Sequence, residues 1–276
     1  MTSVPKKIPP LFIKNLKHLN DCRAIYDNTF HEVNQHAGLE FIPTPKDSET
    51  PYHQQGKDGG PVKSLRCLYE AATAVSSKFN ILIEEMVSQV GKVICPKFPF
   101  APKPEIRLIT LKEEERTEIK VTEGRIIRTS GPRYSWIYDV VRCSVICFTP
   151  LQIASCVAWL KTHGEIVKAK NRFVEPSFNG YRDLLLHVKI QDDNETFWHT
   201  CEVQIHHNVF WNLGYIQSIS VHRYFRRLFS STSSEFVSDC IQDMNSLFPE
   251  GSIVLNQDVL LQLISNCTDP TRLITL

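Results

Sequence analysis

No stretch of this chain approaches the roughly 20 consecutive apolar residues that cross a bilayer, and no apolar run follows a basic start at its N-terminus. The expectation is a cytoplasmic protein with no membrane partner. An excess of either charge is missing too: 31 Lys and Arg stand against 30 Asp and Glu, a net charge of +1. No global field then favours nucleic acid or anionic lipid, so a basic site has to be local. The nine cysteines form no C-x-x-C pair and keep no regular spacing. That excludes the patterns of a disulfide framework and of a zinc site, and predicts reduced thiols. No segment repeats. What remains is ordinary for a globular chain, 42% hydrophobic and 22% charged over 276 residues, long enough for one large domain or two small ones.

Residues 1–13 are Pro-rich and read as an irregular arm. From Lys14 to about His36, Leu16, Leu19, Ala24, Ile25, Phe30 and Val33 recur loosely at helical spacing, and Gly38 suits a stop. Residues 41–61 are dense in Pro, Gly and polar side chains and predict a flexible loop. Val62 to about Lys92 carries the strongest helical pattern, an apolar stripe from Leu65 through Leu68, Ala72, Val75, Phe79 and Ile83 to Val90. A Pro-interrupted connector, 95–104, precedes a short strand at 105–109. Thr110 then fits the N-cap of a helix with an acid-rich first turn. On such a helix Lys112, Arg116 and Lys120 fall at i, i+4 and i+8 and form one basic stripe; the alternative is a solvated face of ion pairs with Glu113, Glu114, Glu115 and Glu118. Arg125, Arg128 and Arg133 extend this cationic stretch.

Asp139 to Phe148 is a short β-branched run, read as a buried strand with Asp139 at its start. A helix over 150–161 and a strand over 165–170 follow, then the polar turn Asn179-Gly180-Tyr181 and two alternating runs, 182–190 and 197–205. In the first run Leu184, Leu186, Val188 and Ile190 share one side while Asp183, His187 and Lys189 take the other. In the second, Glu202, Gln204 and His206 share a face. The order predicts an α+β fold, a mixed sheet flanked by helices. It divides into an N-terminal helical region over 1–104, a core over 105–230, and C-terminal helices over 231–276.

Asp139 and Glu202 each sit in or beside an apolar run, where an unpaired carboxylate is costly to bury. Two acids on neighbouring strands can share a divalent ion, and Mg²⁺ suits carboxylate oxygens completed by phosphates and water. Salt bridges to Arg142, Arg172 or Arg182 would satisfy the same residues without a metal. His206 and His207 are adjacent and would diverge on a helix, and Cys143 and Cys147 read as core. The tryptophans Trp136, Trp198 and Trp211 read as packing around the sheet, with Trp198 placed to flank a base.

Three blocks in order, IYDVVRCSVICF, KAKNRFVEPSFNGYRDLLLHV and CEVQIHH, resemble the RelA/SpoT-like (p)ppGpp synthetase domain family, over roughly Lys112 to Trp211. That resemblance implies a divergent member with a nucleotidyltransferase-like fold. The implied enzyme is a transferase that uses Mg²⁺ to move the β,γ-pyrophosphate of ATP to the 3′-hydroxyl of GDP or GTP. Carried over, Asp139 matches the metal-binding aspartate, and Glu202 the glutamate that helps hold the metal and orients or deprotonates the acceptor hydroxyl. Tyr181 matches the tyrosine that stacks on the acceptor base, Asn179 and Gly180 shape the turn beneath it, and Lys170 and Gln204 fall on substrate-facing positions. Lys112, Arg116 and Lys120 become a triphosphate clamp, as phosphoryl-type transfer asks chiefly for positioning and charge neutralisation. The chain departs from the family at Ser177, where a lysine is usual; at Arg133, in place of the donor-side basic motif; and at His206-His207, where Arg-Thr is usual. No His-Asp dipeptide occurs, unlike in the family's hydrolase half. Two functional classes follow, the transferase and a catalytically silent nucleotide- or RNA-binding module. A tRNA acceptor and a homo-oligomer are further implications.

Overall fold

The computed structural model describes residues 10–46, 53–93, 98–108, 111–122, 131–177 and 180–213. The expected helices over 231–276, Thr110, Arg125, Arg128 and Asn179 lie outside them.

Five strands form one mixed sheet: β1 (Glu105–Leu108), β2 (Arg142–Cys147), β3 (Glu165–Asn171), β4 (Leu184–Gln191) and β5 (Trp198–His207). Their spatial order is β1-β2-β5-β4-β3, with β2 and β5 parallel and the other pairs antiparallel. Because side chains alternate along a strand, the register fixes two faces. Leu184, Leu186 and Val188 of β4 stand opposite Ile205, Val203 and Cys201 of β5, and Cys143 and Val145 of β2 continue the same face. All are buried in one core with α2 (Leu65–Val90) and α4 (Pro150–His163), which cover this side.

Local chemistry sets the helix ends. Ser64 caps α2 by accepting from the Cys67 N–H at 3.2 Å, and Thr149 and Gln152 form a capping box at the start of α4. The first helix, α1, spans Pro10–Ala37 and stops at Gly38, whose φ of 68° is the left-handed conformation glycine favours.

Four expectations change. The helix α3 covers Glu114–Thr122, so Lys112 precedes it. The reason is a competing backbone bond: the Lys112 N–H donates to the Val140 carbonyl at 3.0 Å, and its own carbonyl accepts from the Tyr69 hydroxyl. Strand β2 begins at Arg142, leaving Asp139 on the segment leading into it, and His206 and His207 end β5 on opposite faces instead of opening a helix. The short helix α5 (Asn208–Leu213) follows them.

The fourth change concerns residues 53–61, which are tied down. Strand β2 pairs with β5 only from Glu202 onward, so the edge of β5 before that point lacks a strand neighbour on the β2 side. The Gln54 side chain takes that place: its Oε1 accepts from the Thr200 N–H at 2.6 Å, and its Nε2 donates to the carbonyls of Thr200 and Ile137, both at 2.8 Å. Gln55 Oε1 accepts from the Trp198 N–H at 3.0 Å. Two glutamines thus extend the sheet with side-chain amides.

Candidate active site

The second face of the sheet is polar. Arg142 and Ser144 of β2 lie beside Glu202 and Gln204 of β5, His187 of β4 stands opposite Glu202, and Lys168 and Lys170 of β3 pair with His187 and Leu185. Arg172 continues the two-residue period one step past β3, where its N–H donates to the Asp183 carbonyl at 2.8 Å. The alternation that buries leucine and valine on one side therefore gathers charge on the other.

Asp139 is held at the head of β2 by two ammonium groups. Lys112 Nζ lies 2.9 Å from its Oδ2 and Lys120 Nζ 3.0 Å from its Oδ1. Burial alone would raise the carboxyl pKa, but the Lys120 and Lys112 charges outweigh it and hold it well below the usual range. Burial pushes the Lys112 ammonium down to about 8 despite the Asp139 charge. The arginines considered as partners for Asp139 do other work: Arg172 meets Asp183 at 2.7 Å and Arg182 meets Asp27 at 2.8 Å, while the Arg142 Nε is buried without a hydrogen-bond partner.

Glu202 is 8% exposed. Its Oε1 accepts from Gln204 Nε2 at 2.8 Å, and its Oε2 lies 3.8 Å from His187 Nε2, beyond hydrogen-bond reach. Burial keeps the His187 imidazole below its usual pKa, hence neutral at pH 7. Lys170 shares this neighbourhood: burial, then the Arg172 and Lys168 charges, push its ammonium down to about 8, with Glu202 acting in the opposite sense.

Tyr181 is half-buried and packs against the core. Its hydroxyl is 3.3 Å from His206 Nδ1, its ring meets Tyr26 edge-on at 6.3 Å, and the Arg172 guanidinium lies 5.8 Å from the ring centroid. Burial, reinforced by Asp183, pushes the phenol well above its ordinary pKa. Gly180 beneath it has φ 81°, and a Cβ there would meet Arg23 Cα of α1 at 3.0 Å. Both the turn and the approach of α1 require glycine at this position.

The structure thus joins Lys112 and Lys120 on Asp139, Gln204 on Glu202, and Lys170 with the Arg172 and Glu202 charges. It does not draw in Arg116, which is exposed on α3, nor Arg133, exposed at the start of a 3-10 turn over Arg133–Trp136. Lys168, Arg172, Arg142 and His187 belong to the same face and were not among the expected site residues. A signal for the first two was present: Lys168, Lys170 and Arg172 recur every second residue in KAKNR, one face of a strand.

A bare divalent ion does not fit the carboxylate pair in this arrangement. Both Asp139 oxygens already accept from ammonium groups, and among the described residues no three His, Cys, Asp or Glu side chains converge to hold a metal. Nor, among those residues, is any helix long and apolar enough to cross a membrane.

No protein-family model matches the chain, and no curated protein matches it. Among solved structures it is similar to small alarmone synthetases. One is small alarmone synthetase 2 from Bacillus subtilis, 20% identical with a TM-score of 0.40, over 66% of this chain and 89% of that one. Another is small alarmone synthetase 1 from Bacillus subtilis bound to its product pppGpp, 13% identical with a TM-score of 0.42, over 74% and 90%. A GTP pyrophosphokinase family protein from Streptococcus pneumoniae is 12% identical with a TM-score of 0.33, over 75% and 86%.

Proposed function

We propose that this chain is a pyrophosphotransferase, moving the β,γ-pyrophosphate of ATP to the 3′-hydroxyl of GDP, GTP or a related nucleotide or RNA acceptor. The observation that carries this reading is the surplus of positive charge around two carboxylates. Lys112, Lys120 and Arg142 neighbour one another at Asp139, and Lys168, Lys170 and Arg172 neighbour Glu202. Such a face suits a polyphosphate, whose negative charge these cations would neutralise as it is transferred. The motifs shared with the RelA/SpoT-like family point the same way.

In this reading the acceptor oxygen attacks the β-phosphorus, AMP departs with the α,β-bridging oxygen, and Glu202 takes the hydroxyl proton. Gln204 holds the Glu202 carboxylate in place for that step. Lys170 and Arg172 neutralise phosphate, and the half-buried Tyr181 offers the acceptor base what remains open of its ring.

One observation favours the second reading, a catalytically silent nucleotide- or RNA-binding module: Asp139 is already neutralised by Lys112 and Lys120. The two readings part in one experiment, incubation with γ-labelled ATP, Mg²⁺ and a panel of nucleotides and tRNA. Transfer of label to one acceptor is expected, reduced at least about a hundredfold in Asp139→Asn and in Glu202→Gln. Tight nucleotide binding without transfer to any acceptor would leave the binding module.

A further inference from the structure

The two lysines on Asp139 do more than balance a charge. Each carboxylate oxygen accepts from its own ammonium, at 2.9 and 3.0 Å, so neither is open to another cation without a displacement. The side chains of Lys112, Lys120 and Asp139 are only 5%, 17% and 17% exposed, which limits solvent screening at the site. One carboxylate between two ammoniums keeps a surplus positive charge, and Arg142 adds to it. A free divalent cation therefore meets net repulsion there. A nucleoside triphosphate reverses that field and offers each ammonium a stronger acceptor than the carboxylate it would leave.

We infer that Lys112 and Lys120 close Asp139 to free divalent cations, and that a nucleoside triphosphate opens it by drawing the Lys120 ammonium onto its phosphates. The two ligands then enter as a pair. The opening half rests on the transferase reading above; the closure rests on the ion-pair geometry alone.

The lysines differ in freedom. Lys112 is anchored, its N–H on the Val140 carbonyl and its carbonyl on the Tyr69 hydroxyl. Lys120 rides on α3, which Thr117 fixes through its hydroxyl, 2.8 Å from that of Tyr69. Its flexible four-carbon stem lets the ammonium swing while α3 stays put. Lys120 is thus the member that moves, and Lys112 the one that stays near.

Equilibrium dialysis on the full chain, which counts the Mn²⁺ held on the protein side in excess of that carried by free nucleotide, tests this. Wild type is expected to bind Mn²⁺ weakly alone and to form a ternary complex with α,β-methylene ATP that Asp139→Asn abolishes. Lys120→Met should raise nucleotide-free Mn²⁺ affinity by about tenfold or more, and Lys112→Met offers a second route to the same gain if Lys120→Met misfolds. Adding Asp139→Asn should erase either gain. Wild-type binding of Mn²⁺ alone as tight as that of the lysine variants would overturn the closure. An analogue that binds without promoting Mn²⁺ uptake would overturn the opening alone, whereas an analogue that does not bind at all would overturn the transferase reading with it.

Discussion

Lys170 shows how one residue's surroundings tune what the site can hold. Burial and the neighbouring Arg172 and Lys168 bring its ammonium down to about 8, so it is mostly charged at pH 7 and loses that charge as pH rises through that value. A neutral amine does not attract phosphate. ATP affinity is therefore expected to fall above about pH 8, by at most about tenfold per pH unit for each proton that binding must restore. Lys112, also brought down to about 8, adds its own share. Lys170→Arg keeps its charge throughout, so its affinity should decline less steeply than that of wild type. Calorimetric titrations with ATP from about pH 7 to about pH 9.5 check this, and parallel profiles for the two proteins would contradict it. At this scale the sequence was partly legible. The period-2 pattern placed Glu202 and Gln204 on one face, as the register confirms. The partners of Asp139 were not legible as an ion pair, because Lys112 was read as part of a helix that its backbone bond to Val140 prevents.

Elements were easier to read than what joins them. The apolar stripe of 65–90 and the alternation of 184–191 and 198–207 appear within three residues of their expected spans, since each reflects burial of one face. Residues 53–61 looked like loop because glutamine and glycine say nothing locally about a partner 146 residues away. Yet Gln54 supplies hydrogen bonds that a strand would otherwise make to Thr200. Gln54→Leu has nearly the same bulk but leaves the Thr200 N–H and two buried carbonyls without this partner. At about 1–3 kcal/mol for each unsatisfied group, part of it recovered by relaxation, the expected loss is roughly 2–4 kcal/mol. Urea unfolding measures that loss, and limited proteolysis should find new cleavage within 53–61. A variant as stable as wild type would show that the amide is not what fastens this segment.

Across the whole molecule, the α+β class follows from the order of patterned segments, but the strand order does not. Placing β5 between β2 and β4 needs a parallel pairing between distant segments, which no local pattern encodes. That central strand carries a further property of the molecule. His199, His206 and His207 all lie on β5 and are buried, which brings their imidazoles down to about 3, 4 and 4. In the unfolded chain they titrate near 6.5. Between about pH 6.5 and 4 the unfolded state binds more protons than the folded state, so stability is complete above that window and falls as pH falls through it. Each histidine contributes a slope approaching about 1.4 kcal/mol per pH unit, and three together approach about 4. Across that window the three withdraw on the order of 10 kcal/mol, comparable with a total stability of about 5–15 kcal/mol. Asp139, whose carboxyl is held low, adds its loss only below its unfolded value of 3.8, after the histidines have acted. Urea unfolding free energies measured at intervals from pH 7 to pH 5 should therefore drop steeply. His207→Gln, which removes one titrating group, should lower the slope by up to about a third whatever it does to stability at pH 7, His187 of β4 sharing in the remainder. A flat wild-type profile over that range would mean that the imidazoles of β5 protonate without unfolding the sheet around them.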